Sequence, residues 1–451
     1  MFNIHDWKRE ADIVAGVLSR APSFDKEYRI PKEEFIERWR KTWEKLEAQG
    51  IDVGFVYSDE HYCGDVPYFG GNTNVHVEPV AGLIGKNGFF LLAGLEGGYC
   101  AEQLSWRSGC QVRKVEMLKL ADEDYPVEAV TLEEVFEEAC GHKPRNIGLL
   151  TPTEIIPIKF LYAFRQYFGS EDSVIDAREI LFKVKYIKSD NEMRMIGEAS
   201  KIADVMIEGM LGVIRPGMYE TQVAQWGYAI ASELGVETMG FDIMVCSGES
   251  NRTIVGRAMN RRINEGDYIM LGVGPKRDGL TACERVSVVC VDKPEKVSPD
   301  QKYWFDFVEE AFRIGLKEYI RVAENDLPAK YQEQALVDYF ADKSGEVSRR
   351  LGKPIDMTVL KPYTGTHNSG YTECQEFYGA ITLDSEEPLG SQIVTMLDVA
   401  VRGYSRNWYD VIIPGMDYVL VEKTLGKYGH RVEVLNNLPI NVQHLVGQNF
   451  R

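Results

Sequence analysis

The sequence lacks several patterns that would assign it to a common functional class. Its eight cysteines include no Cys-Xaa-Xaa-Cys pair, so neither a zinc ribbon nor a thioredoxin-like redox motif is indicated. No apolar run reaches the roughly 18 residues that a membrane span needs. The first residues, MFNIHDWKREADIV, contain no apolar signal core. These absences predict a cytoplasmic protein with reduced cysteines that act as small core residues.

Positive charge is also scarce. The chain has 51 lysines and arginines against 69 aspartates and glutamates, a net charge of −18. Such a balance disfavours nucleic acid and anionic membrane surfaces as partners, because both would be repelled. The 44% hydrophobic and 27% charged content is typical of a soluble globular protein. A length of 451 residues exceeds one ordinary core and predicts two domains.

The first part of the chain alternates helix and strand patterns. Residues 31–49 carry apolar side chains at helical spacing, and IDVGFVYS follows as a strand. The stretch PVAGLIGKNGFFLLAG predicts a hairpin with its turn at Asn87-Gly88. Two further helices are predicted at 131–140 and 154–168, on either side of the strand NIGLL. Residues 1–182 are therefore predicted to form a mixed α/β domain.

A second unit, residues 183–451, begins with a strong helix signal. Ser189 and Glu192 form a capping box ahead of a long amphipathic stretch, which Pro216-Gly217 interrupts. Strand-like DIMVCSG, YIMLGVG and RVSVVCV follow. Two later helices are predicted at 301–324 and 330–351.

Five motifs in this second unit resemble, in order and spacing, the pita-bread fold shared by creatinase, aminopeptidase P, prolidase and methionine aminopeptidase. They are IKSDNEMRMI with IRPGMYE, VCSGESN, NEGDYIMLGVG, GTHNSG and DYVLVE. The first unit resembles the smaller domain of creatinase and aminopeptidase P. The resemblance implies an α/β (α+β) protein with an N-terminal creatinase-like domain over 1–182 and a C-terminal pita-bread domain over 183–451.

The metallopeptidases of this family hold two divalent metals with two aspartates, one histidine and two glutamates. The first aspartate position falls on Gly272. The second falls on Cys283 if the turn at Gly279 is matched, and on Ala282 if the pair after Cys283 is matched to the Glu-Arg of creatinase. By the resemblance, neither bridging aspartate is present.

The three remaining ligand positions are only partly kept. The histidine falls on His367, the first glutamate on Asp398 and the second on Met416. A dinuclear site without its aspartates has too little negative charge for two dications. The sequence therefore predicts no bound metal and no cofactor.

Creatinase provides the family's precedent for hydrolysis without metal, because it cleaves a C–N bond with a histidine assisted by glutamates. Glu284 stands at one of those glutamates and Asp398 at another, but Val255 stands at the catalytic histidine. His367 then becomes the expected proton carrier, since a neutral imidazole near pH 7 serves as base or acid. The predicted catalytic residues are His367, Glu284 and Asp398.

The substrate contacts also differ from those of creatinase. Matching VEPVAGLI places Glu78 at an arginine that holds the creatine carboxylate, and His76 at an adjacent aromatic residue. An acid there excludes creatine and suits a cationic or neutral substrate. Arg285, Tyr363 and Tyr371 complete the predicted substrate-binding set. In creatinase the small domain closes the partner's pocket, so the resemblance implies a homodimer.

Three functions remain open on the sequence. The first is metal-independent hydrolysis of a C–N bond in a small nitrogenous metabolite other than creatine. The second is an Xaa-Pro aminopeptidase or dipeptidase-like metallopeptidase with a degenerate metal site. The third is a non-catalytic protein that binds a small molecule in the same pocket.

Overall fold

The computed structural model describes residues 3–120, 128–252, 255–362, 365–373, 379–407 and 409–445. It separates the chain into two compact units. One comprises Tyr28–Ile187, and the other comprises Met1–Glu27 together with Lys188–Arg451. The division between the units lies close to the expected one at residue 182. The sequence assigned residues 1–182 to the smaller domain, whereas Met1–Glu27 group with the larger unit.

The first helix explains this difference. Helix α1 (Ile4–Leu18) buries Val14 and Val17, and it packs against elements of the larger unit. The indole Nε1 of Trp226 donates to Glu10 Oε2 at 2.8 Å. The ring of Trp7 lies 5.5 Å from the ring of Trp226. These contacts join residues more than two hundred positions apart in sequence, so no local pattern could reveal them.

The smaller unit is built on a mixed sheet of six strands. In chain order they are β1 (Gly54–Ser58), β2 (Val80–Gly85), β3 (Gly88–Ala93), β4 (Gln111–Lys114), β5 (Ile147–Leu149) and β6 (Val174–Asp176). Their spatial order is β4-β3-β2-β1-β5-β6. The β2–β3 pair is the predicted hairpin, and Gly88 adopts a φ of 106° at its turn, which a residue with a side chain rarely takes.

Six helices accompany this sheet. They are α2 (Lys32–Ala48), α3 (Asp65–Gly70), α4 (Gly97–Leu104), α5 (Leu132–Cys140), α6 (Ile158–Phe168) and α7 (Arg178–Tyr186). The aromatic side chains of Phe55, Phe160 and Phe164 meet at the centre of the core, with ring centroids 4.9–6.0 Å apart. The predicted helices at 31–49 and 131–140 are confirmed, and the one at 154–168 begins four residues later than expected, after Pro157.

The larger unit opens with the capped helix that the sequence predicts. Ser189 Oγ accepts from the backbone N–H of Glu192, and the Glu192 carboxylate accepts from the backbone N–H of Ser189 at 2.8 Å. The helices of this unit after α1 are α8 (Asp190–Val213), α9 (Glu220–Glu233), α10 (Pro299–Glu324) and α11 (Lys330–Leu351). Among the described residues, none of the helices of either unit has the length and apolar character of a membrane span.

An antiparallel sheet of seven strands forms the centre of the larger unit. Its strands are β7 (Met244–Ser247), β8 (Tyr268–Val273), β11 (Glu284–Val289), β12 (Thr366–Asn368), β13 (Gln392–Arg402), β14 (Tyr418–Tyr428) and β15 (Arg431–Val434). The order is β12-β13-β14-β11-β8-β7, with β15 added beside β14. A small hairpin of β9 (Lys276–Arg277) and β10 (Leu280–Thr281) connects β8 to β11.

Candidate active site

One row of residues crosses the centre of the large sheet. Gly272 on β8 pairs with Arg285 on β11, Arg285 pairs with Glu422 on β14, and Glu422 pairs with Asp398 on β13. Directly paired residues project their side chains to the same face of a sheet. The strand register therefore gathers one guanidinium and two carboxylates on one face, beside the position of Gly272.

Arg285 lies between the two carboxylates. Its Nε donates to Glu422 Oε2 and its Nη2 donates to Asp398 Oδ2. The three side chains are at most 6% exposed, so each charge depends on its partner for compensation. Burial acts to raise the pKa of Glu422, but Arg285 and His367 outweigh it and hold that pKa below its usual range.

The missing side chain at Gly272 provides the room for Arg285. A Cβ atom built on Gly272 would lie 2.9 Å from Arg285 Cγ and 3.1 Å from Arg285 Cδ. These separations are shorter than ordinary carbon–carbon contact. An aspartate at this position would collide with the arginine, so the loss of the acid and the placement of the guanidinium go together.

His367, at the centre of β12, faces the same cluster. Its Nε2 lies 3.2 Å from Glu422 Oε1 and 3.5 Å from Glu373 Oε1, and its Nδ1 lies 3.1 Å from the carbonyl oxygen of Asn368. Burial acts to lower the pKa of His367, but the Glu373 charge and the Glu422 hydrogen bond outweigh it and raise the pKa to about 9. An imidazole with this pKa carries its positive charge at neutral pH, whereas the sequence analysis expected the neutral form.

Cys283 joins the cluster from the residue before β11. Its thiol and the carboxylates of Glu373 and Glu422 lie within 4.8 Å of one another. Of the two residues left open by the sequence, Cys283 rather than Ala282 is therefore on the site face. Burial, with the negative charges of Glu422 and Glu373, raises the pKa of the thiol well above its usual value. The environment opposes a thiolate nucleophile.

The structure places Glu284, predicted to be catalytic, outside this cluster. Successive side chains of a strand point to opposite faces, so Glu284 points away from the side that Arg285 occupies. Its Oε1 accepts from Lys423 Nζ, and both side chains are at most 1% exposed. Burial raises the pKa of Glu284 to about 8 despite the opposing Lys423 charge. Of the three predicted catalytic residues, only His367 and Asp398 share a face.

A second correction concerns the residue opposite Asp398. The sequence placed the second family glutamate at Met416, but Met416 precedes β14, and Glu422 is the direct partner of Asp398. Glu422 and Glu373 are the site residues that the sequence reasoning missed. The signal for Glu422 was the charged pair Glu422-Lys423 inside the apolar strand YVLVEKTL.

The remaining predicted residues have varied surroundings. In the smaller unit, Glu78 is buried and accepts from the backbone N–H of Gly97 at 2.6 Å. His76 is largely exposed and pairs with Glu60 at 2.5 Å. Tyr371 is buried in the larger unit, and Tyr363 lies outside the described residues. Arg285, predicted to bind substrate, instead directs its donors to Glu422 and Asp398.

A two-metal cluster of the kind the fold family implies does not fit these residues. Among the described residues, two sets of three side chains bring one ligand atom each to within 4.8 Å of the others, namely His367, Asp398 and Glu422, and Cys283, Glu373 and Glu422. Both sets contain Glu422, and Asp398 completes the first, yet these two carboxylates already bind Arg285. Two dications beside a guanidinium would add positive charge that Asp398, Glu422 and Glu373 together do not balance.

Comparison with known proteins gives the same family as the motifs. Residues 194–370 match the sequence profile of metallopeptidase family M24. The putative dipeptidase YkvY of Bacillus subtilis is 27% identical over 325 residues, which cover 69% of this chain and 82% of that protein. The uncharacterized peptidase YqhT of Bacillus subtilis is 24% identical over 246 residues, covering 54% of this chain and 65% of that protein.

Solved structures share the fold at low sequence identity. The X-Pro aminopeptidase from Thermotoga maritima MSB8 superimposes with a TM-score of 0.70 at 19% identity, covering 90% of this chain and 99% of that one. The Xaa-Pro dipeptidase from Bacillus anthracis gives a TM-score of 0.65 at 20% identity, with 90% and 98% coverage. Residues 194–370 are thus similar in sequence to the M24 metallopeptidases, and the chain shares its fold with an X-Pro aminopeptidase and an Xaa-Pro dipeptidase.

Proposed function

We propose that the chain is a hydrolase that cleaves a C–N bond in a short, peptide-like substrate without a dinuclear metal cluster. The similarity to a putative dipeptidase, and the fold shared with an X-Pro aminopeptidase, support a peptide bond as the target. These comparisons favour the peptidase alternative over the non-peptide metabolite that the sequence suggested first. They do not support metal independence, which rests on the side chains of the site alone.

The position of Arg285 is the main observation in support of hydrolysis without a metal cluster. Its guanidinium supplies fixed positive charge between Asp398 and Glu422, where the family's metallopeptidases would place a cation. A guanidinium provides no open coordination position for water, so it cannot replace a metal as a water activator. Its role in this proposal is to position Glu422, which in turn holds His367 at 3.2 Å.

Two groups remain to move protons. The Glu373 carboxylate accepts a proton from water as the water oxygen bonds to the substrate carbonyl carbon. Charged His367 gives the Nε2 proton to the leaving nitrogen as the C–N bond breaks. The 3.5 Å contact between Glu373 and His367 then allows the proton on Glu373 to return to the imidazole. The cycle consumes one water and restores both groups.

Activity measurements test this assignment. The full chain is screened against Xaa-Pro dipeptides, other short peptides, cyclic amides and guanidino compounds, with and without a chelator. Replacing His367 by Ala is expected to lower turnover by about 10²–10⁴-fold, the usual contribution of one acid–base group. His430→Ala, at an exposed histidine of the same unit, is the matched control and should retain activity. Equal rates for both variants would remove His367 from the mechanism.

The second candidate is a peptidase that keeps a degenerate metal site, which the clustered ligand atoms favour. Elemental analysis of protein purified without chelator distinguishes the two. We expect no stoichiometric divalent metal, and one equivalent of zinc, manganese, cobalt or iron per chain would contradict us. The double variant Gly272→Asp with Arg285→Gly restores an acid and removes the guanidinium. It should bind Mn²⁺ more tightly than the parent in calorimetry.

Two further proposals follow from the family. A homodimer is proposed, with His76 and Glu78 reaching the partner's pocket, and light scattering should give about twice the chain mass of 51.2 kDa. A monomer would rule out those roles. The third candidate function is binding without catalysis. It would be supported by a screened compound that raises the melting temperature of the protein but is not turned over.

A further inference from the structure

A cavity of about 700 Å³ lies in the larger unit between α10 and the residues that follow β15. This volume is in the range of small-molecule sites. Its walls are apolar and partly aromatic. From the helix they include Phe305, Phe312 and Leu316, and from the later segment Leu438, Pro439 and Ile440. The cavity is separate from the candidate active site, because its strand residue, Lys423, points to the opposite face from Glu422.

Lys423 and Gln443 are two of the buried polar residues that line the cavity. Lys423 Nζ donates to Glu284 and to the carbonyl oxygen of Leu438. These bonds use two of its three protons. Gln443 Oε1 accepts from the backbone N–H of Val289 at 2.8 Å. Gln443 is only 8% exposed, and its amide nitrogen Nε2 is buried. This nitrogen has no hydrogen-bond partner among the described residues.

An unsatisfied buried donor costs about 1–3 kcal/mol, so Gln443 Nε2 favours any ligand that brings an acceptor. The charge around the cavity favours an anionic one. Glu309 and Arg313 neutralise each other at 2.6 Å, and Glu284 offsets Lys423. Lys302 also lines the cavity and has no ion pair within the part of the chain that the structure describes. The local balance is thus positive, in a chain of net charge −18.

We infer that this cavity is a second binding site, and that its ligand is a small carboxylate with an aliphatic or aromatic body. The carboxylate accepts from Gln443 Nε2 and is attracted by Lys302. The body packs against Phe305, Phe312 and Leu438. The inference does not depend on the proposed hydrolase activity, because it uses none of the residues assigned to that reaction.

Calorimetry and thermal unfolding of the full chain test the site with octanoate and 4-phenylbutyrate as probes. Octanol and octylamine have matching apolar bodies but no carboxylate. We expect one carboxylate per chain, a raised melting temperature, and at least tenfold weaker binding of the alcohol and the amine. His367→Ala should bind the carboxylates as the parent does.

Two variants locate the binding. Lys302→Met, at an exposed position that tolerates substitution, should weaken octanoate binding by up to about tenfold. Gln443→Leu should weaken octanoate binding at least as much as Lys302→Met does. Lys317→Met, an exposed lysine on the same helix outside the cavity, is the matched control and should bind normally. The inference is overturned if neither carboxylate binds, if octanol binds equally well, or if Lys302→Met and Lys317→Met behave alike. Binding that requires removal of residues 446–451 would show that the chain fills its own cavity, and would also overturn it.

Discussion

The two faces of the large sheet carry different charge clusters on the same two strands. On one face Arg285 and Glu422 belong to a group with Asp398, His367 and Glu373, in which acids outnumber the fixed cation. On the other, Glu284 and Lys423 form a single acid–base pair at the cavity. Glu284 and Lys423 are adjacent in sequence to Arg285 and Glu422 of the first face. The Arg285–Glu422 pair and the Glu284–Lys423 pair therefore lie on the same two strands but have different charged groups around them.

The environments push the acids in opposite directions. Glu422 has both Arg285 and His367 as partners, and its pKa lies below the usual range. Glu284 has one cation, and burial raises its pKa to about 8. Separated pKa values of this kind mark groups suited to different tasks. Glu422 therefore keeps its charge at neutral pH, whereas Glu284 can become neutral by taking up a proton.

The largest expected effect follows from that contrast. Arg285→Met leaves two buried carboxylates without their guanidinium and should cost about 3–5 kcal/mol of the free energy of unfolding. Lys423→Met leaves only Glu284, which can take up a proton, so about 1–3 kcal/mol is expected. Urea unfolding of both variants at pH 7 gives the comparison. An equal or reversed order would contradict the assigned environments.

Much of the fold could be predicted because its signals are local. The capping box at Ser189, the Asn87-Gly88 turn and the ordered motifs each lie within a few residues, and each is confirmed. The face of the sheet on which Glu284 lies could not be predicted from such local signals. The alternation of side chains along a strand places Glu284 and Arg285 on opposite faces of the sheet. Which of the two faces the site depends on the pairing of β11 with β14, in which Arg285 contacts Glu422, 137 residues further along the chain.

The missed residue Glu422 has a related cause. The family resemblance placed the second glutamate position at Met416. In the structure Asp398 on β13 pairs with Glu422 on β14. Strand register is set by both strands and by their turn together. The residue opposite Asp398 therefore could not be identified from either strand alone.

Turnover provides the next test of the two faces. Glu422→Gln removes the charge that holds and stabilises the His367 imidazolium, so a loss of about 10²-fold is expected. Glu284→Gln, which the sequence predicted to be catalytic, should leave turnover near the parent value, because its side chain is on the other face. Both are measured on the substrate found by screening, with folding checked by circular dichroism. A comparable loss in Glu284→Gln would return that residue to the mechanism.

The faces should also lose stability in different pH windows. The pKa of His367 rises from 6.5 to about 9 on folding, so its contribution is complete below pH 6.5 and is lost as pH rises through 9. The pKa of Glu284 rises from 4.5 to about 8, so stability falls between those values as the unfolded chain releases the proton first. At about 1.4 kcal/mol per pKa unit, each window corresponds to several kcal/mol, and the Glu284 window is the larger of the two.

Urea unfolding from pH 4 to pH 10 measures both windows. Glu284→Gln should flatten the lower window, and His367→Gln the upper one. The raised pKa values would be wrong if neither variant changes the pH dependence. If Glu284→Gln flattened the upper window and His367→Gln the lower one, the two raised pKa values would belong to the opposite residues.

The smallest expected effect tests why Gly272 lacks a side chain. Gly272→Ala places a Cβ 2.9 Å from Arg285 Cγ, and the arginine is already held by Glu422 and Asp398. Overpacking of this kind costs about 1–3 kcal/mol. Gly197→Ala is the matched control, because a Cβ at that position of α8 meets nothing within 4 Å. Alanine there should instead stabilise the helix by about 0.5–1 kcal/mol. Thermal unfolding of the two variants should shift in opposite directions, and a stabilised Gly272→Ala would show that Arg285 does not fill the space next to this glycine.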